Sequence, residues 1–296
     1  MLRSRLHRLI GRYRYFRNIP SVRKHPWRGF FRVLEWRFFC LIGRARTLSI
    51  PAWGCRFFLP PWWQSGGTTH FYVTREEYEP EVKYLEKLLR PGDVFIDGGA
   101  NLGIYSMAAA ACVGPAGRVI AFEPQTRVLA ILQKNIELNQ STQIEAHALG
   151  LAEREGEASL YSACEGVVNA SLGTSAGTAS VQTINLTSLD RFFEKHGLNR
   201  LDVLKIDVEG AEELVLRGAA STLEKHRPKI IFEVNPIATT GLKLEVDGAW
   251  QILKRLNYAF FAVREDGALE PATITEDVTN VIALPQPVSE TSGRSI

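Results

Sequence analysis

The sequence predicts an α/β protein built on a mostly parallel sheet, and two observations carry that prediction. Short apolar segments typical of buried strands alternate along the chain with amphipathic helical segments, which is the pattern of a parallel sheet flanked by helices. The length of 296 residues and the hydrophobic fraction of 45% are also sufficient for a large buried core. We therefore expect an α/β domain over residues 91–290.

Seven segments have the apolar and β-branched composition of strands. They lie at residues 94–97, 118–123, 143–148, 203–207, 229–234, 258–263 and 280–284. Helical patterns separate most of them; one contains Leu129 and Leu132, and another opens at Ser188, in a variant of the capping box. Residues 157–161 and 181–186 alternate like paired strands, so we predict a hairpin there. The long loop at residues 166–180 is interpreted as a lid or substrate loop.

The first 50 residues differ in charge from the rest of the chain. They hold 13 Lys and Arg against one acid, Glu35, a net charge of +12, and the totals of 35 basic and 32 acidic residues leave a net charge of −9 for residues 51–296. Arginines interrupt the apolar stretches, so we expect neither a membrane span nor a secretory signal, and we predict a cytoplasmic protein. Two amphipathic helices are predicted, over residues 2–13 and after Pro26.

Residues 1–50 are thus interpreted as a basic, aromatic-rich helical arm. The arm can make a peripheral contact with an anionic membrane, bind nucleic-acid phosphates, or pack its aromatic side chains on the main domain; a transit peptide is a further alternative. Residues 51–90 follow as a small lead-in subdomain of short strands and turns, with a helix that begins near Pro80. The sequence leaves the oligomeric state open.

A glycine-containing loop follows the first strand of the α/β domain. Asp97 ends that strand, and Gly99 and Gly103 permit close approaches of the backbone. The glycine offsets differ from G-x-G-x-x-G, and Asp97 would repel a pyrophosphate, so a nicotinamide dinucleotide is disfavoured. Glu123, which lies 20 residues beyond Gly103, ends the second strand, where an acid can accept hydrogen bonds from a ribose diol. An adenosine ligand with a positive charge is indicated, which suggests S-adenosylmethionine.

The fourth strand carries charges where a central parallel strand is normally apolar. Period-two alternation places Lys205, Asp207 and Glu209 on one side of it. We expect Asp207 or Glu209 to be the base that removes a proton from a reacting hydroxyl, and Lys205 to fix or tune it. Glu233 on the fifth strand is the reserve candidate. The alternative is that Lys205 and Asp207 form an ion pair that only stabilises the sheet.

Six blocks of sequence around these residues form a set. They are Asp97-Gly-Gly-Ala-Asn101-Leu-Gly103, Phe122-Glu123-Pro124, Leu204-Lys205-Ile206-Asp207-Val208-Glu209-Gly210-Ala211-Glu212, Tyr78-Glu79-Pro80-Glu81, Ala148-Leu149-Gly150 and Phe232-Glu233. Together they resemble the FkbM family of S-adenosylmethionine-dependent methyltransferases. The Lys-Ile-Asp-Val-Glu-Gly stretch is the most specific element, and Gly98 stands where the family more often has Val. The resemblance covers residues 79–236 and does not include the basic arm.

The resemblance implies a class I methyltransferase (Rossmann-like) fold with a seven-stranded, mostly parallel sheet. It also implies methyl transfer to a hydroxyl of a glycan, a lipid-linked sugar or a secondary metabolite. The implied contacts of S-adenosylmethionine are Asp97, Gly99 and Asn101 at the methionyl part, in the loop that ends at Gly103, Glu123 at the ribose, and His147, Ala148 and Leu149 at the adenine.

Two alternatives to this function stay open at the level of sequence. The arginine-rich arm is compatible with an RNA methyltransferase, although the net negative charge of residues 51–296 disfavours a nucleic acid as partner. The second alternative is a membrane-peripheral binding protein with an inactive methyltransferase domain. Because the four cysteines and the histidines lack metal-ligand spacing, we expect no metal at the site.

Overall fold

The computed structural model describes residues 20–63, 66–162, 170–171, 180–275 and 279–287. The described strands are β1 (Arg46–Ile50), β2 (Cys55–Leu59), β3 (Val94–Gly98), β4 (Arg118–Phe122), β5 (Ile144–His147), β6 (Gly150–Leu151), β7 (Gly156–Ser162), β8 (Ala170–Ser171), β9 (Ser180–Thr187), β10 (Val203–Ile206), β11 (Lys229–Val234), β12 (Tyr258–Val263), β13 (Leu269–Pro271) and β14 (Thr279–Pro285).

The described α-helices connect and cover these strands. They are α1 (Pro20–Lys24), α2 (Pro26–Leu41), α3 (Gly66–Thr74), α4 (Pro80–Leu88), α5 (Ile104–Val113), α6 (Thr126–Asn139), α7 (Leu189–His196), α8 (Glu212–Arg217), α9 (Ala220–His226), α10 (Pro236–Gly241) and α11 (Gly248–Arg255).

The main sheet has eight strands in the order β13-β12-β14-β11-β10-β3-β4-β5. From β11 to β5 the neighbours are parallel, whereas β14, β12 and β13 are joined by antiparallel pairing. The predicted α/β class, with a mostly parallel sheet flanked by helices, is confirmed. All seven predicted strands are present, and β13 is an additional short edge strand, which pairs with β12.

The hydrophobic core lies on both faces of this sheet. Successive strand residues alternate between two buried clusters: Phe95 packs with the helices α4, α5 and α6, and Ile96 packs with α7, α8, α9 and α11. The central strands β3, β4 and β10 are therefore apolar on both faces for most of their length. This arrangement leaves their carboxyl ends as the edge where polar side chains gather.

The predicted hairpin is confirmed as part of a second, four-stranded sheet in the order β6-β9-β7-β8. β7 and β9 pair antiparallel from Gly156 opposite Leu186 to Ser162 opposite Ser180. Most of the predicted lid at residues 166–180 lies outside the described residues. Only β8 and Ser180 of that stretch are described.

The second helix of the basic arm is confirmed as α2, and the first, over residues 2–13, lies outside the described residues. α2 packs on α3: Trp36 is fully buried, its Nε1 donates a hydrogen bond to Thr69 Oγ1 over 3.1 Å, and its ring stacks on Tyr72. Among the helices of the described ranges, none is both long and apolar enough to cross a membrane.

The lead-in segment differs in one element from the prediction. β2 is a strand as expected and pairs with β1, and the helix at Pro80 is α4. Residues 66–74, however, form the helix α3 instead of a turn. Thr68, Thr69 and Phe71 are buried around its circumference, so the sequence of α3 lacks the polar face that signals a helix.

Candidate active site

The predicted site residues meet where the strand order of the main sheet reverses. The chain runs from β3 to β4 and β5 on one side and then returns to β10 on the other side of β3. Ligands of open α/β sheets bind at the carboxyl ends of the strands at such a reversal. Asp97 of β3 and Lys205 of β10 are direct neighbours across it.

The buried ammonium group of Lys205 is the centre of the polar contacts at this reversal. Its Nζ donates a hydrogen bond to the carbonyl oxygen of Gly99 over 2.8 Å, and lies 3.3 Å from both Asp97 Oδ1 and Asp207 Oδ2. Burial by itself lowers the pKa of Lys205, but the negative charges of Asp207 and Asp97 outweigh it and raise the pKa above its usual value. Lys205 is therefore a fixed cation that joins the glycine loop to β10.

Asp97 is fully buried, and its carboxylate contacts protein atoms. Besides the contact with Lys205, Oδ2 accepts a hydrogen bond from the Ser106 hydroxyl over 2.6 Å. The sequence predicts that Asp97 meets a ligand directly, and this stays a prediction. In the structure it holds Lys205 and the first turn of α5, while Gly99 and Asn101 are the parts of the loop that are partly exposed.

The two glycines of the loop are required by contacts within the protein. Gly99 has φ +75°, and a Cβ atom there would overlap the main-chain oxygen of Asp207. Gly103 has φ +88°, and a Cβ atom there would overlap Leu132 of α6. The close backbone approaches predicted for these glycines are present: Asp207 lies against Gly99, and Leu132 lies against Gly103.

Glu123, at the end of β4, supports the opposite side of the glycine loop. Its Oε2 accepts a hydrogen bond from the Asn101 N–H over 2.9 Å, and its Oε1 accepts one from the Gln125 N–H over 2.8 Å. Burial raises the pKa of Glu123 to about 7, against the lowering effect of these two bonds. Each carboxylate oxygen has a second lone pair, so Glu123 can still accept hydrogen bonds from a diol.

The segment predicted for adenine follows β5. The carbonyl oxygen of His147 accepts a hydrogen bond from the Glu123 N–H over 3.1 Å, which places the two strand ends side by side. The His147 ring packs against Phe122 and Phe192, and burial lowers its pKa. Ala148 is exposed and Leu149 is half-buried, so both are accessible next to Glu123.

The turn after β10 departs from the predicted alternation. The strand ends at Ile206, and Glu209 adopts φ +55°, so the period-two placement of Lys205, Asp207 and Glu209 does not continue to Glu209. Glu212 holds the turn, because its Oε1 accepts hydrogen bonds from the N–H groups of Val208 and Gly210 over 3.0 and 3.2 Å. Asp207 and Glu209 therefore lie in a partly exposed turn.

Glu233 lies on β11, next to β10 in the main sheet. Burial raises its pKa well above the usual range, and the nearby negative charges of Asp207, Glu209 and Glu212 add to the effect. Asn235 Nδ2 also lies 3.3 Å from Glu233 Oε2 and donates to it. A general base works best when its pKa lies near the operating pH, so Glu233 stays the reserve candidate behind Asp207 and Glu209.

Sequence reasoning assigned no role to Glu79 and Tyr105, which complete the surroundings of Lys205. Glu79 accepts hydrogen bonds from the Tyr105 hydroxyl over 2.6 Å and from Asn280 Nδ2 over 3.0 Å. The Tyr105 ring lies 5.2 Å from the Lys205 ammonium, within the range of a cation–π interaction. Glu79 belongs to the block Tyr78-Glu79-Pro80-Glu81, and this membership is the feature of the sequence that could have pointed to it.

Comparison with known proteins identifies the family. A family model described as the methyltransferase FkbM domain matches residues 97–260, more than half of the chain. The chain belongs to the FkbM methyltransferase family. The match covers the glycine loop, Glu123, the β10 turn and Glu233.

This FkbM chain is also similar to two curated proteins. It is 27% identical over 239 residues to the AMB antimetabolite synthetase AmbE of Pseudomonas aeruginosa, an alignment that covers 67% of this chain and 11% of that protein. It is 28% identical over 148 residues to Methyltransferase 1 of Beauveria bassiana, which covers 43% of this chain and 59% of that protein. The chain thus spans less than two thirds of the length of either relative.

Among solved structures, this FkbM chain is similar to methyltransferase FkbM from Methylobacillus flagellatus KT. The overlap covers 73% of this chain and 54% of that chain, with a TM-score of 0.42 and 20% sequence identity.

The donor set of the site fits S-adenosylmethionine. Glu123 offers acceptors for a ribose diol beside the accessible Ala148 and Leu149. Lys205, the one cation among the predicted site residues, is already held by Asp97 and Asp207, which leaves no predicted site residue to bind a phosphate. The excess of carboxylates at the crevice favours a ligand with a positive charge, such as a sulfonium.

Proposed function

We propose that this chain transfers a methyl group from S-adenosylmethionine to a hydroxyl of a glycan, a lipid-linked sugar or a secondary metabolite. The observation that supports it is the position of Asp207. Its N–H donates a hydrogen bond to the Gly98 carbonyl oxygen over 3.0 Å, and its carboxylate contacts Lys205, so a carboxylate lies beside the glycine loop. The Asp207 side chain is 35% exposed and is accessible to an acceptor.

In this proposal the glycine loop and the ends of β4 and β5 hold the methyl donor. Gly99 and Asn101 contact its methionyl part, Glu123 its ribose, and the accessible residues Ala148 and Leu149 its adenine. When bound, S-adenosylmethionine supplies an electrophilic methyl group on a positively charged sulfur. His147 supports the adenine side by packing against Phe122 and Phe192.

Asp207 is the base in this proposal. Methyl transfer to oxygen requires a hydroxyl that is aligned with the methyl group and that loses its proton. Asp207 orients the hydroxyl and accepts the proton, and Lys205 fixes the carboxylate from the buried side. Glu209, in the same turn, is the second candidate for this step, and Glu233 on β11 is the reserve candidate.

The test is a screen for the acceptor with methyl-deuterated S-adenosylmethionine. Glycans, lipid extracts, hydroxylated metabolites and total RNA are incubated with the full chain, and products are detected by their mass shift. Binding of the donor is measured on the same preparation by titration calorimetry. We expect donor binding and a labelled methyl group that alkaline and reductive treatment assign to an ether oxygen.

The same screen separates the alternatives. Label in RNA, with retention that weakens steeply as salt is added, would replace the proposal with an RNA methyltransferase. Donor binding without label in any pool would favour a binding protein with an inactive domain. A chain that folds and binds no donor would end the proposal.

A further inference from the structure

Helix α2 presents an apolar face to solvent. Five large hydrophobic side chains of the helix are exposed, and so is that of Ile42, which follows its last residue. Their exposed fractions are Trp27 (74%), Phe31 (64%), Leu34 (45%), Phe38 (57%), Leu41 (69%) and Ile42 (51%). These six, which we call the α2 face, are two thirds of the nine exposed large hydrophobic residues in the described parts of the chain. Contiguous exposed apolar surface of this kind marks an interaction site.

The orientation of this face is fixed by the packing of α2. Residues of the α2 face recur at helical spacing and form a single stripe. On the opposite side, Gly29, Val33 and Trp36 are buried against α1 and α3, and a Cβ atom at position 29 would overlap Val22. Because the Trp36 contacts lock α2 onto the domain, the apolar stripe points to solvent.

Arginines flank the stripe on both sides. At 100° per residue, Arg28 lies along one edge of the α2 face and Arg37 along the other, whereas Arg32 lies closer to the buried side of the helix. Arg32 donates a hydrogen bond to the Val73 carbonyl oxygen of α3, and Arg37 is held at its edge over the ring of Trp63. The one acid of α2, Glu35, is paired with Arg46 over 3.4 Å.

We propose that the α2 face docks on the surface of an anionic lipid bilayer, with the helix lying in the plane of the interface. An apolar stripe with aromatic side chains and cationic edges is the arrangement of interfacial helices, whose apolar side enters the acyl boundary while the cations meet anionic headgroups. The proposal does not depend on the proposed methyl transfer.

Charge favours a membrane over a second copy of this chain. Residues 20–50 carry seven Lys and Arg and one acid, and residues 1–19 add six Arg. Two α2 faces packed together would bring these like charges into proximity, whereas an anionic surface neutralises them. A nucleic acid would satisfy the arginines but would leave the exposed Phe31, Leu34 and Leu41 in water.

The test is co-sedimentation of the full chain with vesicles. Vesicles of equal parts phosphatidylcholine and phosphatidylglycerol are compared with phosphatidylcholine alone. The variant is Phe31→Ser with Phe38→Ser, and the matched control is Val181→Ser with Ile274→Ser, two exposed hydrophobic residues outside α2. We expect the wild type and the control to bind the anionic vesicles, and the α2 variant to bind about tenfold or more weakly.

Circular dichroism and thermal unfolding of both variants establish that they are folded. Analytical ultracentrifugation without lipid measures self-association in parallel. The proposal is overturned if the wild type binds neither kind of vesicle, if it binds both kinds equally, or if the folded α2 variant binds as tightly as the control. If the wild type does not bind vesicles and forms a dimer, and the α2 variant is monomeric, the face is assigned to a second copy of the chain.

Discussion

The ammonium group of Lys205 donates a hydrogen bond to the main-chain carbonyl oxygen of Gly99 over 2.8 Å. This bond joins two segments that lie on either side of the strand reversal. The same nitrogen is 3.3 Å from both Asp97 and Asp207, so one buried cation connects the glycine loop to the proposed base. The positions of the glycine loop and of Asp207 therefore depend on Lys205, which need not touch the methyl donor or the acceptor.

Replacing Lys205 with Met should lower both stability and donor affinity. The change leaves the buried Asp97 without its cation, and removing one partner of a buried ion pair costs about 3–5 kcal/mol in the free energy of unfolding. Urea unfolding measures the loss, with Lys254→Met on the exposed side of α11 as control. A Lys205→Met protein as stable as the control would contradict the role given to this cation.

Gly99→Ala should be much more destabilising than Gly197→Ala. Both glycines have a positive φ, +75° and +61°, so both substitutions carry the strain of about 1–2 kcal/mol for a left-handed residue. Only at Gly99 would the new Cβ overlap the Asp207 oxygen, whereas nothing lies within 4 Å at Gly197. We expect an additional loss of about 1–3 kcal/mol for Gly99→Ala, measured by urea unfolding. Equal losses would show that the approach of Asp207 is unimportant.

The free energy of unfolding of Glu212→Gln should increase, relative to that of the wild type, as pH rises. Burial raises the folded pKa of Glu212 to about 7 from 4.5, so its contribution to stability is full below pH 4.5 and is lost as pH rises through about 7. Glutamine has no proton to lose, and its amide oxygen can replace Oε1 in the bonds to Val208 and Gly210. The difference in unfolding free energy should change by up to about 1.4 kcal/mol per pH unit between those values.

Urea unfolding of wild type and Glu212→Gln across pH 5 to 8 provides the measurement, with Glu270→Gln on the exposed edge strand as control. A difference that is independent of pH would mean that Glu212 is ionised throughout this range.

Binding of S-adenosylmethionine should strengthen as pH rises through about 7. Glu123 has a folded pKa of about 7 because of burial, and its carboxylate form accepts hydrogen bonds from the ribose and attracts the sulfonium. Titration calorimetry in buffers of different ionisation enthalpy should therefore detect release of a proton near pH 6.5. Glu123→Gln should abolish that release and bind more weakly at pH 8; unchanged proton release would assign it to another group.

The local pattern of apolar residues was sufficient to predict most of the strands and helices that form the core. β3 and β4 were predictable because each contains an uninterrupted apolar run, and β10 because Lys205 alone interrupts its run. β13 was not, because it is three residues long, ends in proline and is largely exposed. α3 escaped prediction because burial around its circumference removes the helical period.

The site was predictable in its residues and less so in their contacts. Asp97 and Glu123 were identifiable because they end strands beside a glycine loop. The bond from Lys205 to Gly99 joins residues 106 positions apart, and the contact of Glu79 with Tyr105 depends on how α4 packs on α5, which no local pattern encodes. The turn at Glu209 was missed because the strand was assumed to continue past Ile206.

The most direct test of the account is methyl transfer by Asp207→Asn, measured with the acceptor identified in the screen. On the same samples, titration calorimetry gives the Kd of S-adenosylmethionine. The account predicts that kcat falls by about 10²–10⁴-fold, the usual contribution of a general base, while the Kd changes by less than about tenfold. Full turnover by Asp207→Asn with unchanged donor binding would contradict the assignment of Asp207 as the base.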